Sequence, residues 1–115
     1  MDLKKGDIVL LDFPFVSKSD RSKRRPALVI QNDIGNRYGE NTIVLMISSS
    51  ISSPDLYPVQ VLIPKGMQTG LKKTSIADTG VIFTISKKRI KSKIGECPVN
   101  IMEEANEAVR LSLNV

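Results

Sequence analysis

ALVIQNDIGNRYGENTIVLMI, residues Ala27 to Ile47, places two β-branched and apolar runs on either side of a polar segment. Ala27 to Gln31 predicts a strand, and Pro26, which has no N–H to donate, restricts it to a strand start or an edge. Thr42 to Ile47 is apolar after its first residue and predicts a strand buried on both faces. Asn32 to Asn36 is dense in turn-forming residues. The stretch therefore predicts two strands joined by a turn.

The rest of the chain predicts more short strands and then one helix. The further predicted strands are Asp7 to Phe13, Val59 to Ile63, Ser75 to Ala77 and Val81 to Ile85. Asn100 and Glu103 have the spacing of a capping box, which predicts a helix from about Asn100 to Leu113. The residues that follow a helical stripe are Ile101, Ala105, Ala108, Val109 and Ser112, and the glutamates lie off it. This order of elements predicts a mainly β fold with a C-terminal helix, built as a small, strongly curved antiparallel sheet or barrel.

Length and composition predict a single domain over residues 1–115. Hydrophobic residues make up 41% of the 115 and charged residues 25%, which is typical of globular proteins. The longest apolar runs, Ile8 to Leu11 and Ile43 to Ile47, are far too short to span a membrane. The first residues lack the apolar core of a secretion signal. We therefore expect a cytoplasmic protein without a membrane partner.

The cysteine and histidine counts exclude several kinds of chemistry. The chain has one cysteine, Cys97, and no histidine. An intrachain disulfide and a zinc site of Cys and His ligands are therefore excluded. Catalytic Cys–His and Ser–His pairs and a histidine-based ribonuclease mechanism are excluded as well. Acid–base catalysis would have to use Arg, Lys, Asp, Glu, Tyr or an assisted hydroxyl.

Positive charge is concentrated in two segments of a chain whose formal net charge is +5. Ser17 to Arg25 carries five cations and one acid, and Lys87 to Lys93 carries five cations and no acid. Two such clusters fit a nucleic-acid partner, and a solvated surface without a partner is the alternative. We expect Lys87 to Lys93 to form a solvated helical turn. Aromatic residues make up only 4%, which argues against a broad base-stacking platform.

Several motifs, in this order and spacing, resemble one protein family. They are GDIV (6–9), RPALVI (25–30), QNDIGNR (31–37), Ile47-Ser48, Gly70-Leu71 with Ser75, Thr84-Ile85, Lys87 and Arg89-Ile90, followed by an amphipathic helix. Together they resemble the MazF/PemK family of toxins from toxin–antitoxin pairs, over roughly Lys5 to Leu113.

The resemblance implies an SH3-like barrel of the MazF/CcdB kind with a C-terminal helix, assembled as a homodimer. It also implies a metal-independent endoribonuclease, without a cofactor, that cuts single-stranded mRNA at short sequences and leaves a 2′,3′-cyclic phosphate and a 5′-hydroxyl. The implied second partner is an acidic antitoxin protein that blocks the RNA groove.

Two catalytic residues follow from the same resemblance. The family arginine of the Arg-Pro motif falls on Arg25, and the family hydroxyl residue at the end of the third strand, usually Thr, falls on Ser48. A guanidinium holds two phosphate oxygens at once and stabilises the charge that grows on a phosphorane. A serine hydroxyl donates to a phosphate oxygen as a threonine does. The alternatives without a function are that Arg25 is a surface arginine beside a proline and that Ser48 is a hydroxyl at the end of a strand.

The remaining candidates concern RNA binding. They are Lys18, Arg21, Lys23 and Arg24, in the loop that flanks the family's active site, together with Asn32, Ser49 and Asp78. Asn32 either reads a base edge or closes a turn, and local hydrogen bonding favours the turn. The acidic residue of many members would fall on Gly80, and Asp78 is the nearest acid.

Three other functions remain open at this stage. One is a toxin on the same fold that targets DNA gyrase, although protein binding needs no pair such as Arg25 and Ser48. Another is a non-catalytic nucleic-acid-binding module that keeps the basic loop. The third is a protein-interaction domain, which the scarcity of aromatic residues disfavours.

Overall fold

The computed structural model describes residues 2–12, 24–49 and 56–115. Its elements, in chain order, are β1 (Asp7–Leu11), β2 (Arg25–Val29), α1 (Asp33–Tyr38), β3 (Asn41–Ser48), β4 (Gln60–Ile63), β5 (Ser75–Ser86), β6 (Ile90–Glu96) and α2 (Val99–Leu113). A 3₁₀ turn, Lys87–Arg89, lies between β5 and β6. No helix within the described residues is long and apolar enough to cross a membrane.

The six strands of the described residues form one antiparallel sheet in the order β4-β5-β3-β2-β1-β6. Side chains at paired positions continue from strand to strand, as Ile8 faces Leu28 and Leu28 faces Leu45. The mainly β fold with a C-terminal helix is confirmed. The described strands do not close into a barrel, since β4 and β6 are the two edges. The loop after β4 instead reaches β6, where the N–H of Glu96 donates to the carbonyl of Gln68 at 2.8 Å.

The sheet is packed on both faces. The cluster that includes α2 contains Ile8, Leu28, Leu45, Ile47, Val61, Ile63, Leu71, Ala77, Cys97, Ala105 and Ala108. The cluster on the other face contains Leu3, Val9, Leu11, Ala27, Val29, Val44 and Ile85. Because Leu45 and Val44 belong to different clusters, β3 is buried on both faces, as its apolar sequence predicts.

The C-terminal helix α2 packs against β4 and β5 with the predicted stripe, in which Ala105 and Ala108 are buried. The predicted capping box is wrong. Pro98 occupies the N-cap position, without a side-chain hydrogen bond, so that Asn100 lies inside the first turn. The fixed φ of proline suits a helix start, which explains why the helix begins earlier than the Asn–Glu pattern indicates.

The predicted turn over Asn32 to Asn36 is instead the N-terminal part of helix α1. Asn32 caps this helix by accepting the N–H of Gly35 at 2.9 Å. The buried Asn36 then joins the helix to β3 and to the segment before the helix, because its Oδ1 accepts from Thr42 Oγ1 at 2.7 Å and its Nδ2 donates to the carbonyl of Gln31 at 2.9 Å. Asn and Asp side chains accept nearby backbone N–H groups both in turns and at helix N-caps, so the sequence is compatible with either structure.

Two other predictions need correction. The strands over Ser75 to Ala77 and Val81 to Ile85 are one strand, β5, because the N–H of Thr79 donates to the carbonyl of Val59 and keeps the segment paired. Lys87 to Lys93 is a helical turn only to Arg89. Its remainder belongs to β6, which pairs with β1. Pro26 lies at the start of an interior strand, β2, as its missing N–H requires.

Candidate functional site

One end of the sheet carries a groove of about 560 Å³, here called the strand-end groove. It lies where β1 and β3 end and where β2 and β5 begin. Its lining residues are Leu10, Arg24, Arg25, Pro26, Ile47, Ser48, Ser49, Gly70, Leu71, Lys72, Lys73, Ser75 and Ile94. The groove thus combines cations, hydroxyl groups and an apolar floor.

The two predicted catalytic residues meet in this groove. Arg25 is the first residue of β2, and Ser48 is the last residue of β3. The β2–β3 ladder is antiparallel and pairs Ala27 with Met46, so the start of β2, with Arg25, lies beside the end of β3, with Ser48. Both side chains are half-buried, and the Nε atom of Arg25 is buried.

The groove is electropositive. Four cations line it (Arg24, Arg25, Lys72 and Lys73), and no acid is among the lining residues of the described chain. Arg24 and Ser49 are sequence-predicted RNA contacts, and both are exposed beside Arg25 and Ser48. Lys72 and Lys73 were missed, because in the sequence they are two ordinary polar residues of a loop. A cationic concave surface attracts a polyanion, and desolvated walls strengthen that attraction.

Apolar and hydroxyl-bearing side chains complete the groove. Leu10, Pro26, Ile47, Leu71 and Ile94 supply the apolar part. Ser75 is buried, and its hydroxyl donates to the carbonyl of Lys73 at 2.8 Å, which fixes the entry into β5. A nucleotide has an apolar base face and a charged phosphate, and this mixture of surfaces matches both parts.

Two predicted RNA contacts lie outside the lining of the groove. Asn32 follows the opposite end of β2 from Arg25, beyond about 13 Å of strand, and its side chain caps α1. Asp78 pairs with Gln60 near the sheet edge, and its Oδ1 accepts the N–H of Gly80 at 2.8 Å. Both side chains have local structural roles. Lys18, Arg21 and Lys23 fall outside the described residues.

The second basic segment is largely engaged with acids and carbonyls. Lys87 donates to the carbonyl of Asn36, Lys91 lies 3.5 Å from Asp12, and Lys93 lies 3.1 Å from Asp7 and 2.8 Å from Glu96. The hydrogen bonds to Glu96 and Asp7 raise the pKa of Lys93 above its ordinary value. Lys87 to Lys93 therefore joins β6 to the rest of the sheet more than it adds to a free cationic surface.

The described residues contain no group of three or more Cys, Asp or Glu side chains placed to hold a metal ion. Cys97 is free and buried beneath α2. Burial, with a smaller effect of Glu104, raises the pKa of its thiol to about 11. A thiol of this kind is a poor nucleophile at neutral pH. The chemistry available in the strand-end groove is therefore that of guanidinium, ammonium and hydroxyl groups.

Two endoribonucleases are similar in sequence to this chain over nearly its whole length. The chain is 36% identical to Endoribonuclease EndoA of Bacillus subtilis, over 98% of this chain and 96% of the relative. It is 34% identical to Endoribonuclease MazF of Staphylococcus saprophyticus, over 98% of this chain and 92% of the relative.

Solved structures share the fold at lower identity. A MazE–MazF structure from Deinococcus radiodurans matches with a TM-score of 0.78 at 19% identity, over 100% of this chain and 98% of the other. A mycobacterial endoribonuclease in complex with its cognate antitoxin matches with a TM-score of 0.78 at 18% identity, over 98% of this chain and 96% of the other.

The family assignment agrees with these relatives. Residues 4–113 match the family described as the PemK-like, MazF-like toxin of type II toxin–antitoxin systems. The match includes all six strands of the described residues and the whole of α2. With the two endoribonuclease relatives and the shared fold, it shows that the chain belongs to the PemK/MazF-like toxin family.

Proposed function

We propose that this chain is the toxin of a type II toxin–antitoxin pair and that it inhibits translation by cutting single-stranded mRNA in the cytoplasm. The observation that carries the proposal is the placement of Arg25 and Ser48 at facing strand ends, in a groove whose described charged residues are all cations. The endoribonuclease relatives, at 36% and 34% identity, support the same activity.

The proposed reaction is an internal transesterification that needs neither a metal nor a cofactor. The 2′-oxygen forms a bond to phosphorus as the bond from phosphorus to the 5′-oxygen breaks, giving a 2′,3′-cyclic phosphate. The proton of the 2′-hydroxyl is lost to a base, and the departing 5′-oxygen gains one to become a hydroxyl. The Arg25 guanidinium stabilises the charge on the phosphorane, and the Ser48 hydroxyl donates to one of its oxygens.

The arginine acts in this scheme as an electrostatic group. A guanidinium group stays protonated in proteins, so an arginine is poorly suited to remove the 2′ proton. Its five N–H donors form a planar fork that binds two phosphate oxygens together. Half-burial of the side chain limits its rotamers and removes part of its water, which strengthens its effect on a developing charge.

The proposed assembly has two partners besides RNA. Residues 1–115 act as one toxin domain that forms a homodimer, and an acidic antitoxin segment competes with RNA for the cationic groove. The four lining cations give such a segment its complementary surface. The solved relatives named as MazE–MazF structures support a toxin–antitoxin complex.

Cleavage of a long unstructured RNA by the purified protein, in the presence of a chelator, tests the proposed activity. We expect new 5′-hydroxyl ends at one short sequence, and no cut where the nucleotide before the scissile bond is a 2′-deoxynucleotide. Binding without cleavage would instead support a non-catalytic module. Inhibition of gyrase without RNA cleavage would support the gyrase-targeting alternative.

A further inference from the structure

The loop 64–74, which follows β4, is held against β6 by close backbone contacts. Gly70 has φ +73°, and a Cβ atom there would lie 2.1 Å from the carbonyl oxygen of Ile94. A Cβ atom on Gly95 would lie 2.3 Å from the backbone of Thr69. Such distances are far below van der Waals contact, so both positions require glycine. The loop therefore rests on β6 at a separation that no other residue allows.

Hydrogen bonds within the loop fix its shape. The N–H of Gly70 donates to the carbonyl of Gly66 at 2.9 Å, and the N–H of Gly66 donates to the carbonyl of Leu71 at 3.1 Å. The hydroxyl of Thr69, which is only 2% exposed, donates to the carbonyl of Pro64 at 2.8 Å. Leu71 is buried in the core. These contacts thus fix the backbone position of the two residues that follow Leu71.

Those two residues are Lys72 and Lys73, and both line the strand-end groove on the wall that this loop forms. Arg25 and Ser48 lie on the strands that form the other wall. Both lysines are exposed, and none of the ion pairs within residues 2–12, 24–49 and 56–115 involves them. Their charges are therefore available to a bound anion. Two adjacent ammonium groups on a fixed backbone match the regularly spaced phosphates of a nucleic-acid strand.

We propose that Lys72 and Lys73 bind RNA phosphates that flank the scissile one, and that the contact of Gly70 with Ile94 positions them. The inference rests on the proposed function, since it concerns the same groove. The lysines contribute to binding, whereas Arg25 and Ser48 act on the reacting phosphate. An ammonium group is a point charge without the planar fork of arginine, which suits it to hold a strand in place.

The salt dependence of RNA binding tests the proposal. The probe is a single-stranded RNA that contains the cleavage sequence, with a 2′-deoxynucleotide before the scissile bond so that it binds without being cut. Each lost phosphate contact lowers the slope of log K against log salt by about 0.7 for a single strand. We expect the Lys72→Ala/Lys73→Ala double variant to lower the slope by about 1.4, and the Lys72→Arg/Lys73→Arg variant to retain it.

The matched control is the Lys65→Ala/Lys88→Ala variant. Both of its lysines are exposed and lie outside the lining of the strand-end groove, and it removes the same two charges. We expect its slope to match the wild type. The single-turnover cleavage rate at saturating protein should stay within twofold of the wild type in this control variant. An equal fall in slope for Lys72→Ala/Lys73→Ala and Lys65→Ala/Lys88→Ala would overturn the proposal. An unchanged slope for Lys72→Ala/Lys73→Ala would also overturn it.

A separate variant tests the positioning role of the glycine. We expect Gly70→Ala, when circular dichroism shows it folded, to raise KM and lower the salt slope while kcat stays within twofold of the wild type. If the variant does not fold, the lysine variants still decide the phosphate contacts. A wild-type protein that binds the probe yet cuts no RNA would contradict the proposed function and leave the lysine contacts measurable. Wild-type cleavage with slopes insensitive to Lys72 and Lys73 would contradict only this inference.

Discussion

The side-chain oxygen of Asn32 accepts the N–H of Gly35 at 2.9 Å, and this bond begins helix α1. We expect Asn32→Ala to lower the free energy of unfolding by about 1 kcal/mol and Asn32→Asp to retain most of it, because Asp is an equally good N-cap. Urea denaturation measures both. The sequence at the cleavage site should stay the same in Asn32→Ala, and a relaxed preference at one base would instead make Asn32 a reader of RNA.

We expect Arg25→Ala to reduce RNA cleavage by about 10²–10³ in single-turnover experiments, since one charged donor to the transition state is lost. Arg25→Lys should restore little, because an ammonium group offers no bidentate fork. Arg24→Ala is the control, for it removes a neighbouring exposed cation of the same groove. That variant should weaken binding and keep the rate at saturation. If Arg25→Ala cleaved RNA at the wild-type rate, Arg25 would not be a catalytic residue.

Ser48 should act through its hydroxyl group. We expect Ser48→Ala to slow single-turnover cleavage by at least tenfold and Ser48→Thr to remain close to the wild type, because threonine keeps the donor. Ser49→Ala is the matched control, since Ser49 is an adjacent and more exposed hydroxyl of the groove. Equal effects of Ser48→Ala and Ser49→Ala would mean that neither hydroxyl has a specific role in the reaction.

The attachment of α2 to β5 depends on a buried hydroxyl. Thr79 is fully buried, and its Oγ1 lies 2.6 Å from the carbonyl oxygen of Val59 and 3.1 Å from that of Ala108. We expect Thr79→Val to lower the free energy of unfolding by about 1 kcal/mol, because the buried hydrogen bond of the hydroxyl is lost. Thr84→Val, at an exposed position of the same strand, should change it by less than about 0.5 kcal/mol. Similar losses in both variants would contradict the role of Thr79.

The thiol of Cys97 should be protected by the fold. Its pKa of about 11 exceeds the ordinary value of 9.0, so at pH 8 its thiolate fraction is about 100-fold lower than in the unfolded chain. We expect iodoacetamide to label the native protein at least 100-fold more slowly than the protein in denaturant, as followed by mass spectrometry. Because the unfolded thiol loses its proton first, stability should fall as the pH rises from about 9 towards 11. Rapid labelling of the native protein would show that α2 opens readily.

Apolar patterning was sufficient to predict most strands, and polar segments were where prediction failed. Thr42 to Ile47 is apolar enough to indicate a buried strand by itself. The strand Ile90–Glu96 has only half-buried and exposed side chains, and its lysines pair with acids of other segments, so its sequence does not differ from that of a solvated loop. Only the register with β1 shows that it is a strand.

The residues of the candidate site likewise include some that the sequence predicts and some that it does not. Arg25 and Ser48 were predicted because they stand in motifs of a recognisable family, and the structure brings them into one groove. Lys72 and Lys73 reach that groove through a loop whose course depends on contact with Gly95, a residue that follows Leu71 by more than twenty positions. Sequence patterns describe neighbours along the chain, and a contact of this range follows only from the assembled sheet.

The pairing of β1 with β6 has a consequence for the synthesis of the protein. The first strand, β1, can pair with β6 only after β6 has been translated. Loop 64–74 rests on β6 through Gly70 and Gly95. A nascent chain therefore contains Arg25 and Ser48 long before it has a second groove wall. We expect the growing polypeptide to be inactive on its own messenger until residue 96 has left the ribosome, and a stop codon placed before Ile90 to abolish toxicity.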